Sequence, residues 1–222
     1  MSATGAAGFG PASREMRAQL VTIVDELFKS GLITATGGNV SARLPGGALI
    51  TPSRMHKGSL RPEDLVQVDA AGRPVAKGAG PENARPSVET GLHLKVYELR
   101  PAVNAVVHTH APMATLLGLL GLPVPPVTLE AVHYVDMPLI PFAIPGSDGL
   151  VQAVAGGLGD SPAALLRNHG LLTVGPDLRD AADKALALEE VARLVVIARL
   201  FGKEPATIPP DAVEALRKSV IG

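Results

Sequence analysis

The sequence predicts an α/β domain built on a sheet with antiparallel strand pairs and flanked by helices. Three observations lead there. Helix-period and strand-period stretches mix along the chain without a strict strand–helix–strand rhythm. The glycines form no dinucleotide-binding fingerprint, and "TGGN" at 36–39 is a weak phosphate-loop signal by itself. Of 222 residues 46% are hydrophobic but only 3% aromatic, which suits one substantial core of Ala, Val, Leu and Ile.

The elements follow in chain order. Residues 13–30 place Met16, Leu20, Ile23, Val24 and Leu27 at helical spacing, with Ser13 as cap and Gly31 as stop. "NVSARLPGGALIT" (39–51) reads as two short strands around a Pro-Gly-Gly turn, and "DLVQVD" (64–69) as a third strand before the turn "AAGR". Residues 87–99 read as a helix capped by Ser87. "VNAVVHTH" (103–110) is rich in β-branched residues and reads as a buried strand. A short helix follows from Pro112 to residue 121. "MPLIPFAI" (137–144) is an apolar strand whose two prolines favour a sheet edge. Residues 147–158 form a helix from Ser147, 164–175 a strand–turn–strand, 177–202 the longest helix and 210–220 a last one.

Composition excludes several classes of function. A net charge of −1 gives no basic stripe for a nucleic acid. The absence of cysteine removes disulfides, thiolate metal sites and cysteine nucleophiles, so any metal must be held by His, Asp or Glu. Residues 1–12 lack the basic start and apolar core of a signal peptide and read as a flexible tail before a single domain at 13–222. No apolar run is long enough to cross a bilayer; the stretch near 191–201 is broken by Arg193 and Arg199. The expectation is a cytoplasmic protein with a small-molecule substrate and neither nucleic acid nor membrane as partner.

Two of the six histidines stand one residue apart in "AVVHTHAP" (105–112). Residues i and i+2 of a strand share a face, so His108 and His110 project side by side, as two imidazoles holding one metal ion must. Two ordinary polar residues at a strand end would give the same pattern. His169 in "LLRNHGLL" sits in a polar break between apolar strands, and Gly170 permits a turn with φ > 0; alone it reads equally as a plain turn histidine. His93 follows Glu89 by four, so both occupy one helix face; His93 reads as a packed or supporting residue rather than a ligand. Glu89 is a possible base beside a metal, or a first-turn carboxylate favoured by the helix dipole. His56 reads as a solvated loop residue.

Taken in order, "TGGNVSAR", "ITPS", "PSVETGLHLKVYELRPAVNAVVHTHAP", "VHY" and "LLRNHGLLTVG" resemble the zinc-dependent class II aldolase/adducin family, over about residues 14–205. The resemblance implies an α/β/α three-layer sandwich with a mainly antiparallel central sheet. It implies that His108, His110 and His169 bind Zn2+, with Mn2+ or Co2+ as other possible occupants, and that Glu89 is the catalytic acid/base. Gly38, Asn39, Ser53 and Ser87 match positions lining a phosphate pocket, and Tyr134 matches a catalytic tyrosine that reaches into a neighbouring subunit's site and can donate a proton to the aldehyde oxygen. A homotetramer with sites between subunits is also implied. So is zinc-dependent cleavage of a small ketose 1-phosphate, of the L-fuculose 1-phosphate type, to dihydroxyacetone phosphate and an aldehyde through a metal-stabilised enediolate.

The sequence departs from that pattern at three places, one being that no tyrosine follows Tyr134 to match the tail tyrosine of some relatives. Many sugar-phosphate members carry two serines before the Glu; here the second is Val88, which donates no hydrogen bond. After "TPS" many carry glycine; here it is Arg54, with Lys57 close behind, and either cation suits a phosphate or a carboxylate. These changes keep open decarboxylation of an oxo-acid or dehydration of a methylthioribulose 1-phosphate-like substrate at the same metal site. A non-catalytic, adducin-like scaffold would not need the three histidines and Glu89.

Overall fold

The computed structural model describes residues 11–75 and 84–219, with side chains from Arg14 onward. The tail expected over 1–12 lies outside the described residues for positions 1–10, as does residue 220 of the last expected helix. Helix α1 (Pro11–Lys29) begins before the expected Ser13, because proline at the first position gives up no helical hydrogen bond. Leu20, Ile23, Val24 and Leu27 form its buried stripe at i, i+3, i+4 and i+7, all at most 1% exposed. Each such side chain contributes roughly 1.5–3 kcal/mol through burial. Gly31 ends the helix at φ +73°.

Seven strands form one sheet: β1 (Asn39–Leu44), β2 (Gly47–Ile50), β3 (Val66–Asp69), β4 (Ala105–Thr109), β5 (Leu139–Ile140), β6 (Ala163–Leu166) and β7 (Gly170–Gly175). Their spatial order is β3-β2-β1-β4-β7-β6-β5. Every pair is antiparallel except β5 with β6, which is parallel. The apolar strand expected over 137–144 shrinks to two residues because Pro138 and Pro141 bracket it. It does lie at the sheet edge.

The alternation of the strands sorts the core into two layers. Val40 and Ala42, Ala105 and Val107, and Leu171 pack on one side with α1, α3 (Pro112–Leu120) and α5 (Leu178–Leu200). Ala48, Ile50, Val106, Leu172 and Val174 pack on the other with α2 (Thr90–Leu99) and α4 (Asp148–Gly157). The result is a three-layer α/β/α sandwich. A last helix, α6 (Pro210–Ser219), packs against the 3-10 turn Glu130–Tyr134.

Helix starts show which signals were local. Ser147 and Asp177 cap α4 and α5 by accepting from Leu150 and Asp180 backbone N–H groups. Helix α3 has no local cap; buried Glu189 of α5 accepts from the N–H groups of Met113 and Ala114, both at 3.0 Å. Helix α2 starts at Thr90, not Ser87. Ser87 instead holds the preceding turn, its hydroxyl accepting from Glu89 N–H at 3.3 Å. No helix among the described residues is long and apolar enough to cross a membrane.

Candidate metal centre

Antiparallel pairing brings the N-terminal end of β1, the C-terminal end of β4 and the N-terminal end of β7 together. Asn39 pairs with His108, and Thr109 with Leu171. His110 follows β4 and His169 precedes β7, so three chain segments deliver the three histidines to one end of the sheet. One ring nitrogen from each lies within 4.8 Å of the others. His108 and His169 have ring centroids 4.6 Å apart.

Glycines make this approach possible. A Cβ on Gly170 would lie 2.2 Å from the Thr109 carbonyl oxygen and 3.2 Å from the His108 ring, so only a bare backbone fits there. The left-handed residue of the turn is Asn168, at φ +58°, and not Gly170 as the sequence suggested. Asparagine tolerates that region better than most residues. Gly37 is equally constrained, since its Cβ would sit 2.6 Å from His110 Nδ1. Gly38 turns the chain into β1 at φ +80°.

The donor set fits a divalent metal. His108 is 1% exposed, and its Nδ1–H donates to the Leu171 carbonyl at 3.1 Å. That fixes the tautomer and leaves the Nε2 lone pair facing the centre, the arrangement usual for a metal-ligating imidazole. His108 Nε2 is buried without a hydrogen-bond partner, as is Glu89 Oε1. The carboxylate lies 3.4 Å from His108 Nε2 and 3.4 Å from His169 Nε2. Burial first, then the neighbouring His169 and His110, holds His108 well below the usual imidazole range; burial and His169 lower His110. Those two rings are therefore held neutral, which is the form that ligates.

Behind Glu89 runs a buried polar chain. Asn39 Nδ2 donates to Glu89 Oε2 at 2.7 Å. Asn39 Oδ1 meets His93 Nε2 at 2.6 Å, His93 Nδ1 meets Ser41 Oγ at 2.7 Å, and Ser41 Oγ meets the Tyr97 hydroxyl at 2.6 Å. Burial pushes His93 down to about 3, against a raising influence from Glu89. It pushes the Tyr97 hydroxyl above its ordinary range. Ser41 and Tyr97 were not singled out from sequence. The signal was there: Ser41 follows Asn39 by two on a strand, and Tyr97 follows His93 by four on a helix.

The expected phosphate positions are distributed differently from one another. Ser53 N–H donates to Arg85 O at 2.8 Å and Ser87 N–H to Thr51 O at 3.2 Å, which ties the "TPS" loop to the turn before Glu89. Asn39 and Ser87 are 5% and 8% exposed, and both side chains are engaged with Glu89. Arg54 is exposed at φ +59° and makes no hydrogen bond or ion pair with the described residues. Lys57 does not join it as a second cation. Its buried ammonium donates to the carbonyls of Pro52 at 2.8 Å and Met55 at 3.3 Å, bracketing Arg54. Burial lowers Lys57 to about 8. Val88 is 67% exposed, with its backbone against Gly146.

Tyr134 is not brought to the histidines. Its ring is 5% exposed in the chain's own core, and burial, then Asp180 and Glu130, push its hydroxyl up to about 12. Asp180 abuts Gly175, the opposite end of β7 from His169. Six strand residues span roughly 17 Å. Expected as a tyrosine reaching outward, it is held inward by the 3-10 turn packed on α5.

Comparison with known proteins agrees with this geometry. Residues 18–196 match the model of the Class II Aldolase and Adducin N-terminal domain. An L-fuculose phosphate aldolase of Haemophilus influenzae is 38% identical over 79% of this chain and 78% of its own length. A 5-methylthioribulose-1-phosphate/5-deoxyribulose-1-phosphate aldolase of Rhodospirillum rubrum is 35% identical over 92% and 90%. A 3-oxo-tetronate 4-phosphate decarboxylase of Escherichia coli is 34% identical over 85% and 90%. Among solved structures, an L-fuculose 1-phosphate aldolase superposes with a TM-score of 0.84 at 26% identity, covering 94% of this chain and 97% of that one.

Proposed function

The chain belongs to the class II aldolase and adducin family, and on that premise we propose that it is a zinc-dependent aldolase of a small ketose 1-phosphate. The products are dihydroxyacetone phosphate and an aldehyde. One observation carries the reading: His108 Nε2 and Glu89 Oε1 are buried without hydrogen-bond partners, and the Glu89 carboxylate lies 3.4 Å from both His108 Nε2 and His169 Nε2.

His108, His110 and His169 would hold the metal. When bound, the ion stabilises the negative charge that develops on substrate oxygens as the carbon–carbon bond breaks. In the cleavage, the C3–C4 bond gives its electron pair to C3, where the C2 carbonyl delocalises it as an enediolate. The C4 hydroxyl passes its proton through solvent to the Glu89 carboxylate and becomes the aldehyde. Glu89 delivers a proton to C3 through Oε1, while Asn39 holds Oε2. Gly38, Ser53 and Ser87 surround the phosphate end, and Arg54 adds the positive charge that Val88 in place of serine does not replace with a hydrogen bond. The working form is a cytoplasmic homotetramer with sites between subunits.

A second reading changes the bond broken. Arg54, a guanidinium unpaired among the described residues on a loop tied to the Glu89 turn, suits the carboxylate of an oxo-acid phosphate. Similarity to the E. coli decarboxylase supports it. The experiment is a panel of L-fuculose 1-phosphate, 5-methylthioribulose 1-phosphate, 5-deoxyribulose 1-phosphate and 3-oxo-tetronate 4-phosphate, each with zinc, manganese or cobalt. Aldehyde release with dihydroxyacetone phosphate supports the aldolase. Release of CO2 alone replaces it with the decarboxylase, and water loss without bond cleavage with a dehydratase.

A further inference from the structure

We propose that His93 is a positioning residue which, acting through Asn39, decides which oxygen of Glu89 is free to move a proton. The proposal rests on the reading of Glu89 as the acid/base and adds the device that aims it.

The geometry begins with a coincidence of periods. Glu89, His93 and Tyr97 are spaced by four along α2 and its preceding turn; Asn39 and Ser41 are spaced by two on β1. Four helical residues rise about 6 Å and two strand residues about 6.8 Å. The polar stripe of the helix therefore meshes with the polar face of the strand, and the five side chains interleave as Glu89, Asn39, His93, Ser41, Tyr97. All five residues are at most 5% exposed, so no water competes for these bonds.

The protons in this chain have one self-consistent arrangement. A carboxylate only accepts, so Asn39 must turn its amide N–H toward Glu89 and its carbonyl toward His93. His93 Nε2 must then carry a proton and donate. A neutral ring accepts at Nδ1, so the Ser41 hydroxyl donates there. The Ser41 oxygen, in turn, accepts from Tyr97. Every donor points toward Glu89. Oε2 is thereby held, and Oε1 is left as the unpartnered oxygen beside His169. Both nitrogens of His93 are engaged, so it is not a fourth ligand.

The test uses the full-length, zinc-loaded protein and whichever substrate of the panel is turned over. His93→Phe keeps an aromatic ring, though a larger one, and removes both polar contacts; kcat should fall about 10- to 100-fold, the usual range for partners that orient reactive groups. KM should stay within about three-fold and zinc content should be unchanged. His93→Gln can donate to Asn39 and accept from Ser41, and should recover most of the loss. Ser41→Ala, with a urea melt to check that it stays folded, should lower kcat by about five-fold, as for one lost hydrogen bond. Proton–nitrogen NMR of histidine-labelled protein should show His93 neutral with its proton on Nε2. A proton on Nδ1, unchanged kcat in Ser41→Ala and His93→Phe, or a loss that Gln does not repair would overturn the proposal. Glu89→Gln separates the two levels: if that variant stays active the acid/base reading fails, and if it is dead while His93→Phe is fully active only the positioning role fails.

Discussion

The histidine centre and the loop at 51–57 lie at the same end of the sheet but are built in opposite ways. The centre is held by strand register, by glycines that admit no Cβ, and by tautomers fixed through buried partners. The loop presents an exposed arginine in a left-handed conformation, clamped from beneath by a single buried lysine. A side chain in the centre cannot move without the core moving. The exposed Arg54 on the loop can change with little effect on the packing of the core. Shared chemistry belongs in the first kind of region and substrate choice in the second. Similarity to relatives named for different sugar phosphates and for a decarboxylase fits that division.

The sharpest way to break this contrast is to empty the centre. His108→Ala or His169→Ala should lower kcat/KM by about 100- to 1,000-fold, the usual cost of losing one stabiliser of developing charge. Metal analysis should show the bound ion lost with it. Comparable damage from Arg54→Ala, with metal retained, would mean that the loop and the centre do one job.

Next in size is Gly170→Ala. The new methyl must displace Thr109 or β7, and overpacking of this kind costs about 1–3 kcal/mol. A lower urea midpoint together with weaker zinc retention is the expected pair of results. A normal midpoint would show that the strand ends are looser than their spacing implies.

A third effect is set by pH. The folded state holds His93 near 3, below its ordinary value of 6.5, so the neutral ring is the folded form. Its contribution is intact above pH 6.5 and is lost as pH falls toward 3, because the unfolded chain takes up a proton that the folded one does not. The slope is about 1.4 kcal/mol per pH unit. Urea melts of wild type and His93→Phe at pH 7, 6 and 5 should differ by that slope; parallel lines would place the ring in a wetter setting.

The smallest expected effect has two signs. Arg54→Gly relieves a left-handed non-glycine residue and should stabilise the fold by about 1 kcal/mol. The same change should raise KM about ten-fold with kcat little altered, the loss expected of a charged contact worth ~1.4 kcal/mol. A variant that is more stable and binds substrate equally well would remove Arg54 from the site.

Much of this was legible in sequence where the cause is local. The buried stripe of α1, the two hairpin strands around Gly46 and the caps at Ser147 and Asp177 follow from period and turn chemistry. The proximity of His108 and His110 follows from strand geometry, but bringing His169 and Glu89 to them depends on register across three chain segments. What stayed hidden depended on distant partners. Glu189 caps a helix 75 residues earlier in the chain. Lys57 looked like a ligand for an anion, yet burial turned its ammonium onto carbonyls. Tyr134 carried a family match but sits in its own core. Asn39 matched a phosphate position, and its amide lies on Glu89 and His93 instead.

The rims of the sheet carry a consequence of their own. On one side two prolines cut β5 to a pair of residues. On the other the chain doubles back, with Val75 N–H donating to Gln67 O and Pro74 bridging to Val68. Among the described residues, neither border leaves a long row of open backbone groups for a stranger to zip onto. Crowding in solution should therefore not drive edge-to-edge growth of the sheet into fibrils.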